Sequence, residues 1–253
     1  MRTIQSAIKQ AIFSKDFFVG LIGVMVVVFV SSISDIIAAL RMEGLLWKGF
    51  HSELINKAIV SDEMTLALPI IAALPFTASF VNDIKSGFIK YYLHRTSRTN
   101  YVIGKFVGCM ISGGFVLVLG IVVSYIISAI VFIPMEDTIS KDANTYMFYA
   151  DFLKSIVLVF LSGAFWSLCG LTLATMTGSK YMAYASPFII YYVLIILYER
   201  YFDRIYVFYP KEWTNPSSKW MLGNFSVIML LLGLTVAVSM VFFFTAKRRI
   251  SQL

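Results

Sequence analysis

The sequence predicts an all-α membrane protein, a single domain over residues 1–253 crossing the bilayer six times, and three observations lead there. The chain is 59% apolar and only 14% charged, where a soluble domain carries roughly 25% charge. Its mean hydropathy is +0.81. Six long apolar runs punctuate it, none with the apolar/polar alternation of a barrel strand, and in hydrocarbon each run must close its backbone hydrogen bonds within itself as a helix. The same composition excludes an ordinary soluble enzyme, a disordered chain, a collagen and a disulfide scaffold. Cys109 and Cys169 are the only cysteines, and both fall in apolar stretches.

The elements follow in chain order. Residues 1–16 form an amphipathic interfacial helix, with Ile4, Ala7, Ile8, Ala11 and Ile12 at helical spacing and Arg2, Gln5, Lys9 and Gln10 around the rest of the wheel. It serves either as a basic anchor under the bilayer or as a lever against a partner. Spans are predicted at 17–40, 65–81, 102–133, 152–177, 181–198 and 221–246. The first is retained: it is too long for a signal-peptide core, and Ser31, Ser32 and Ser34 make no small-residue cleavage site. Asp35, the one acid inside an apolar run, lies near the outer end, where a carboxylate reaches water, so it is no proton relay. In the second span Pro69 and Pro75 give either a fixed kink or a hinge.

Between spans two and three, residues 82–101 read as a helix, a turn and a new helix capped by Ser97 or Thr99. A solvated basic loop would need the lysines and arginines but not Phe88, Ile89, Tyr91, Tyr92 and Leu93, which want an apolar partner or the bilayer surface. Small residues at Gly104, Gly108 and Ser112, and at Gly163, Ser167 and Gly170, let helix backbones approach closely. The fifth run is short and contains Pro187. Beyond it, an aromatic stretch mixed with charges predicts short re-entrant helices in the outer leaflet between spans five and six. Eight of the 14 tyrosines fall in 181–209, more than an interfacial belt needs, so Tyr191, Tyr198, Tyr201 and Phe202 are candidate lid or substrate contacts.

Six spans place both termini on one side. Twelve of the 21 Lys and Arg residues fall on that side with only Asp16 and Asp83 for acids, against nine basic and 12 acidic residues on the other. The basic clusters at 85–105 and 247–249 abut span ends, which puts both termini in the cytoplasm of a multi-pass cell-membrane protein. The basic balance is therefore a topology signal and not a nucleic-acid footprint. Catalytic motifs are absent: there is no phosphate loop, His51 and His94 lie in loops on opposite sides, and the spans lack the mid-membrane ionisable groups of ion-coupled carriers. No metal or cofactor is expected on the chain. An intramembrane enzyme would need paired acid/base groups at depth.

The stretch Asp83-Ile-Lys-Ser-Gly87, then Leu93, Arg95-Thr-Ser-Arg98, Tyr101 and Gly104-Lys105 resembles the loop between the second and third spans of type-2 ATP-binding cassette exporter permeases. The layout is similar too: a connecting helix, six spans, a coupling helix after the second and re-entrant helices before the sixth. The chain departs from that pattern at Asp83, where the family often has Glu, and at Arg95 and Thr96, where it often has Pro just before the Ser/Thr-x-Arg. The resemblance implies a non-enzymatic permease subunit that pairs with a second copy or a homologous permease and sits on two ATPase subunits, which carry the ATP and Mg. It implies coupling to those ATPases through Asp83, Lys85, Gly87, Phe88, Tyr91, Arg95, Arg98 and Lys105. The cargo would be an amphipathic or hydrophobic peptide, lipid or drug, exported by alternating access. The alternative is a permease-like immunity or sensing subunit that binds a membrane-active, antimicrobial-type peptide with little transport.

Overall fold

A computed structural model describes residues 2–42, 44–94, 96–137, 145–202, 206–218, 220 and 223–252, with the side chains of 2–3 and 145–151 excepted. It is helical throughout, and the only extended pairing among the described residues is an isolated bridge between Leu46 and Glu136. Eleven α-helices follow one another: α1 (Arg2–Ile12), α2 (Lys15–Ser31), α3 (Ile33–Arg41), α4 (Phe50–Val60), α5 (Asp62–Ala73), α6 (Ser79–Lys85), α7 (Phe88–Tyr92), α8 (Arg98–Phe132), α9 (Thr145–Thr177), α10 (Lys180–Arg200) and α11 (Asn224–Ser251).

Among the described residues four helices are long and apolar enough to cross a membrane: α8 with the turn that follows it, α9 from Phe152, α10 and α11; α1 with α2, bent by 50°, makes a fifth if the pair counts as one span. This chain is therefore a membrane protein by helix length and composition. The other expected spans are not single helices. Residues 17–40 divide at Ser32, because the Ser31 hydroxyl bonds back to the Val28 carbonyl at 2.9 Å and that of Ser32 turns to the Leu54 carbonyl at 3.5 Å. Serine hydroxyls compete with the helix for its own carbonyls. Residues 65–81 divide into α5 and α6 around the turn 74–78, where Pro75 has no N–H to continue the ladder; Pro69 lies inside α5 without ending it.

The bend between α1 and α2 is set by Ser14, whose hydroxyl accepts from the Phe17 N–H at 3.1 Å and donates to the Ala11 carbonyl at 2.9 Å. The expected amphipathic helix is thus α1, and its buried Ala11 packs into the bundle.

Helix α9 is the most buried of the long helices and lies against α8, α10, α11 and α5; α8 in turn carries α1, α2 and α4. Its contact with α8 is backbone-close. A Cβ at Gly163 would sit 2.7 Å from the Gly113 carbonyl and one at Gly114 2.7 Å from that of Phe160, and the seam is tied by reciprocal bonds from the Ser167 hydroxyl to the Cys109 carbonyl (3.1 Å) and from the Cys109 thiol to the Ser167 carbonyl (3.4 Å). Of the small residues expected on α9, Gly163 and Ser167 make this seam, whereas Gly170 faces α10, where a Cβ would lie 2.5 Å from the Ala183 carbonyl; on α8 the seam's glycines are Gly113 and Gly114, beyond Gly104, Gly108 and Ser112.

The segment expected to hold short outer re-entrant helices contains two 3-10 helices, Tyr206–Phe208 and Pro210–Trp213, and the second packs against the bundle. Trp213 is buried, stacked on Trp166 of α9 with ring centroids 5.6 Å apart, and its indole N–H donates to the Val207 carbonyl at 2.9 Å. Lys211 ties the segment to the start of α5 through Asp62 at 2.7 Å, and this hydrogen bond holds the ammonium above its ordinary pKa.

Candidate functional site: a braced elbow

The elbow between α6 and α8 shares a cluster with Ala11 of α1 and with Ile250 in the last turn of α11. Ile89 of α7 is buried in that apolar cluster with Ala11 of α1, Phe80 of α6 and Phe242, Ala246 and Ile250 of α11, so the elbow's one buried anchor belongs to the core that joins α1 and α11.

Its backbone reverses at Gly87, where φ is +73°, a region that costs a residue with a Cβ roughly 1–2 kcal/mol. Helix α7 follows for five residues. Ser97 then caps α8 by accepting from the Asn100 N–H at 3.3 Å, which was one of the two caps the sequence allowed.

A buried polar tie braces the turn from inside. The Asp83 carboxylate oxygen Oδ2 accepts from the Tyr101 hydroxyl at 2.7 Å and lies 2.8 Å from Lys105 Nζ. Tyr101 and Lys105 are one turn apart on α8, so both reach the same point on α6. Lys105 is only 5% exposed, and its ammonium also lies 4.6 Å from the centre of the Phe76 ring. A cation so far from water is held by its partners, and removing one would leave an uncompensated charge.

Outside the tie, the face of the elbow is open. Phe88 is 48% and Tyr91 79% exposed, flanked by exposed Lys85, Lys90 and Arg98. Phe88 leans on Tyr92 and Tyr92 on Tyr101, with centroids 5.3 and 5.6 Å apart, so the exposed ring is continuous with the braced interior. A small cleft between α1 and the elbow, lined by Ser6, Gln10, Phe88, Tyr92 and Asn100, adds α1 to the same surface.

The expected coupling residues therefore divide by direction. Asp83 and Lys105 turn inward and bond to each other; Lys85, Phe88, Tyr91 and Arg98 face out; Gly87 supplies the backbone turn. Arg95 lies outside the described residues. Tyr101 belongs to the brace although no contact role was assigned to it from the sequence. Its i,i+4 relation to Lys105 directly after a capping serine was the available signal.

The candidate lid residues also separate. Tyr198 stacks on Tyr209 at 4.3 Å and, with Phe202, Leu194, Leu197 and Phe208, lines an apolar cleft at the opposite end; Tyr201 is exposed beside it. Tyr191 does not join them. It is 2% exposed and packs on Trp166 at 5.8 Å as part of the core.

At this far end a second polar knot closes α4 onto the end of α8. The Glu136 carboxylate accepts from the backbone N–H of Gly49 (2.8 Å) and His51 (2.9 Å) and lies 2.6 Å from His51 Nδ1. Burial pushes the Glu136 carboxyl up, but the two N–H donors and the imidazole outweigh it and leave the pKa below its ordinary value.

No protein-family model and no curated protein matches this chain.

Proposed function

We propose that the chain is the transmembrane subunit of an exporter driven by separate ATP-binding cassette subunits, and that the elbow is where those ATPases push. The observation that carries this reading is the pairing of an exposed aromatic face, Phe88 and Tyr91 among Lys85, Lys90 and Arg98, with an internal brace of Asp83, Tyr101 and Lys105. An exposed apolar patch rimmed by charge fits an apolar cleft on a partner, with the charges setting register. The brace makes the patch part of α6 and α8, so a push is transmitted to the bundle instead of being absorbed in a loop.

In this reading six passages cross the bilayer, both termini are cytoplasmic, and the permease pairs with a second copy or a homologue. Motion of the elbow tilts α6 and α8 and exchanges inward for outward opening. The apolar cleft at Tyr198 and Phe202, with no charged lining residue, supports an amphipathic or hydrophobic cargo released on the far side.

The test is gentle purification of the full-length chain from its native host. Wild-type protein should carry a nucleotide-hydrolysing companion. Phe88→Glu and Tyr91→Glu should insert normally and lose it, since truncating an interface anchor costs about 2 kcal/mol or more, roughly thirtyfold in affinity. A companion that never appears, or one retained undiminished by both variants, overturns the reading. Uptake of a membrane-active peptide into inside-out vesicles then separates export from capture without transport.

A further inference from the structure

A groove between α9, α10 and α11 is lined by Cys169, Thr172 and Met176 of α9, Ile190 of α10, and Val238 and Val241 of α11, and has a volume of about 300 Å³. Its lining is almost wholly apolar: the Thr172 hydroxyl is spent on the Leu168 carbonyl at 2.7 Å, and the remaining polar atom is the weakly donating Cys169 thiol. The groove lies within helices that are long and apolar enough to span a membrane. Room on this scale, open at the side and nearly all apolar, takes hydrocarbon.

The ends of the same helices carry cations. On α11, Arg248 follows Val241 by seven residues, two turns on, so it lies on nearly the same face about 10 Å further along the axis. It is exposed and has no ion pair among the described residues. Lys180, also exposed, opens α10 just past the end of α9. Between them Arg249 fixes the mouth, donating from Nη2 to the Met176 carbonyl at 2.8 Å.

We infer that this groove is a binding site for one anionic phospholipid, with an acyl chain between α9 and α11 and its phosphate at Arg248 and Lys180. Two features select that occupant. The offset from apolar lining to cation matches a single amphiphile with a greasy tail and a negative head. A second copy meeting this face about a two-fold axis would instead bring identical cations toward one another. The inference needs α9 and α11 to lie in a bilayer and does not depend on any ATPase partner.

Native mass spectrometry of the detergent-purified full-length chain, offered phosphatidylglycerol or phosphatidylcholine of the same acyl composition, tests it. The wild type should retain one phosphatidylglycerol in preference to phosphatidylcholine. Lys180→Gln and Arg248→Gln should each lower that retention about fivefold, the worth of one basic residue at an anionic membrane surface. Val238→Trp, which fills the groove, should abolish it. The glutamine variants alter exposed side chains and decide the matter even if the tryptophan variant does not fold. Equal retention of the two lipids, undiminished phosphatidylglycerol in the glutamine variants, or a groove variant that dissociates a dimer while lipid stays bound would overturn the proposal.

Discussion

Asp83 is one carboxylate oxygen serving two donors, and the energetics of the elbow concentrate there. Asp83→Ala or Lys105→Ala alone leaves a buried partner unpaired and should destabilise the protein by about 3–5 kcal/mol. Replacing the whole brace, as Asp83→Leu with Tyr101→Phe and Lys105→Met, should recover most of that loss, because the Tyr101 hydroxyl that Asp83 accepts from goes with the charged pair and no polar group is orphaned. Thermal unfolding in detergent measures all three, and additive losses would show that the brace is not a unit. Glycines give a second comparison at this scale. A Cβ at Gly87 meets nothing within 4 Å, whereas at Gly178, where φ is +70°, it would lie 2.6 Å from Arg249 Nη1. Gly87→Ala should therefore cost only the backbone term, about 1–2 kcal/mol, and Gly178→Ala more, with the Arg249 bond to Met176 lost. The Ser97 cap was legible in the sequence because a cap is a local relation. The Asp83–Lys105 tie was not: both read as outward coupling residues, and nothing in their spacing of 22 positions says that they meet once α7 folds back.

Among the elements, α4 is the one the sequence reading passed over, although its pattern was present. Phe50, Leu54, Ile55, Ala58 and Ile59 recur at helical spacing and are all buried, while Glu53 and Lys57 pair at 3.0 Å on the other face. The stretch is too short and too charged for a span, and a search for spans assigns it to a loop. Its docking depends on the clasp in which Leu46 N–H donates to the Met135 carbonyl and Asp137 N–H to the Leu46 carbonyl, both at 2.8 Å, beside the Glu136 knot. Because the folded-state pKa of Glu136 is depressed, its contribution to stability is complete above the ordinary glutamate pKa of about 4.3 and is lost as pH falls through the lower folded value. The amides of Gly49 and His51 should stay protected from hydrogen exchange at neutral pH and lose protection only below roughly pH 4. Glu136→Gln should weaken that protection at neutral pH and remove its dependence on acid. Protection unchanged by this variant would mean that Leu46 alone holds the clasp. The breaks at Ser32 and at 74–78 show the converse limit. Hydropathy reports that residues are apolar and not that their axis is continuous, and only Pro75 signalled one of the two breaks.

For the whole molecule, the path of the chain decides what four or five qualifying spans leave open. Ala11 near the start and Ile250 near the end share the cluster that seats the elbow, so the described chain begins and finishes at one end of the bundle. Under the proposed topology, with both ends facing one compartment, the number of passages is even and five is one short. The pair α5–α6 supplies the missing one: it runs from Asp62, tied to Lys211 at the far end, to Lys85 at the elbow. Its broken middle is tolerable in a bilayer because Phe76, Thr77 and Ala78 are buried in protein and not in lipid. The proposed six passages, with the elbow and the end of α11 in the cytoplasm, rest on this pair being a crossing. Single cysteines read with a membrane-impermeant maleimide test it against a quiet background, since Cys109 and Cys169 are 0% and 6% exposed. Tyr91→Cys and Ser251→Cys should react only after cells are opened, and Glu63→Cys should react on intact cells. Labelling of positions 63 and 91 from the same side would overturn it, because α5–α6 would then turn back without crossing and leave the two ends of the described chain on opposite sides.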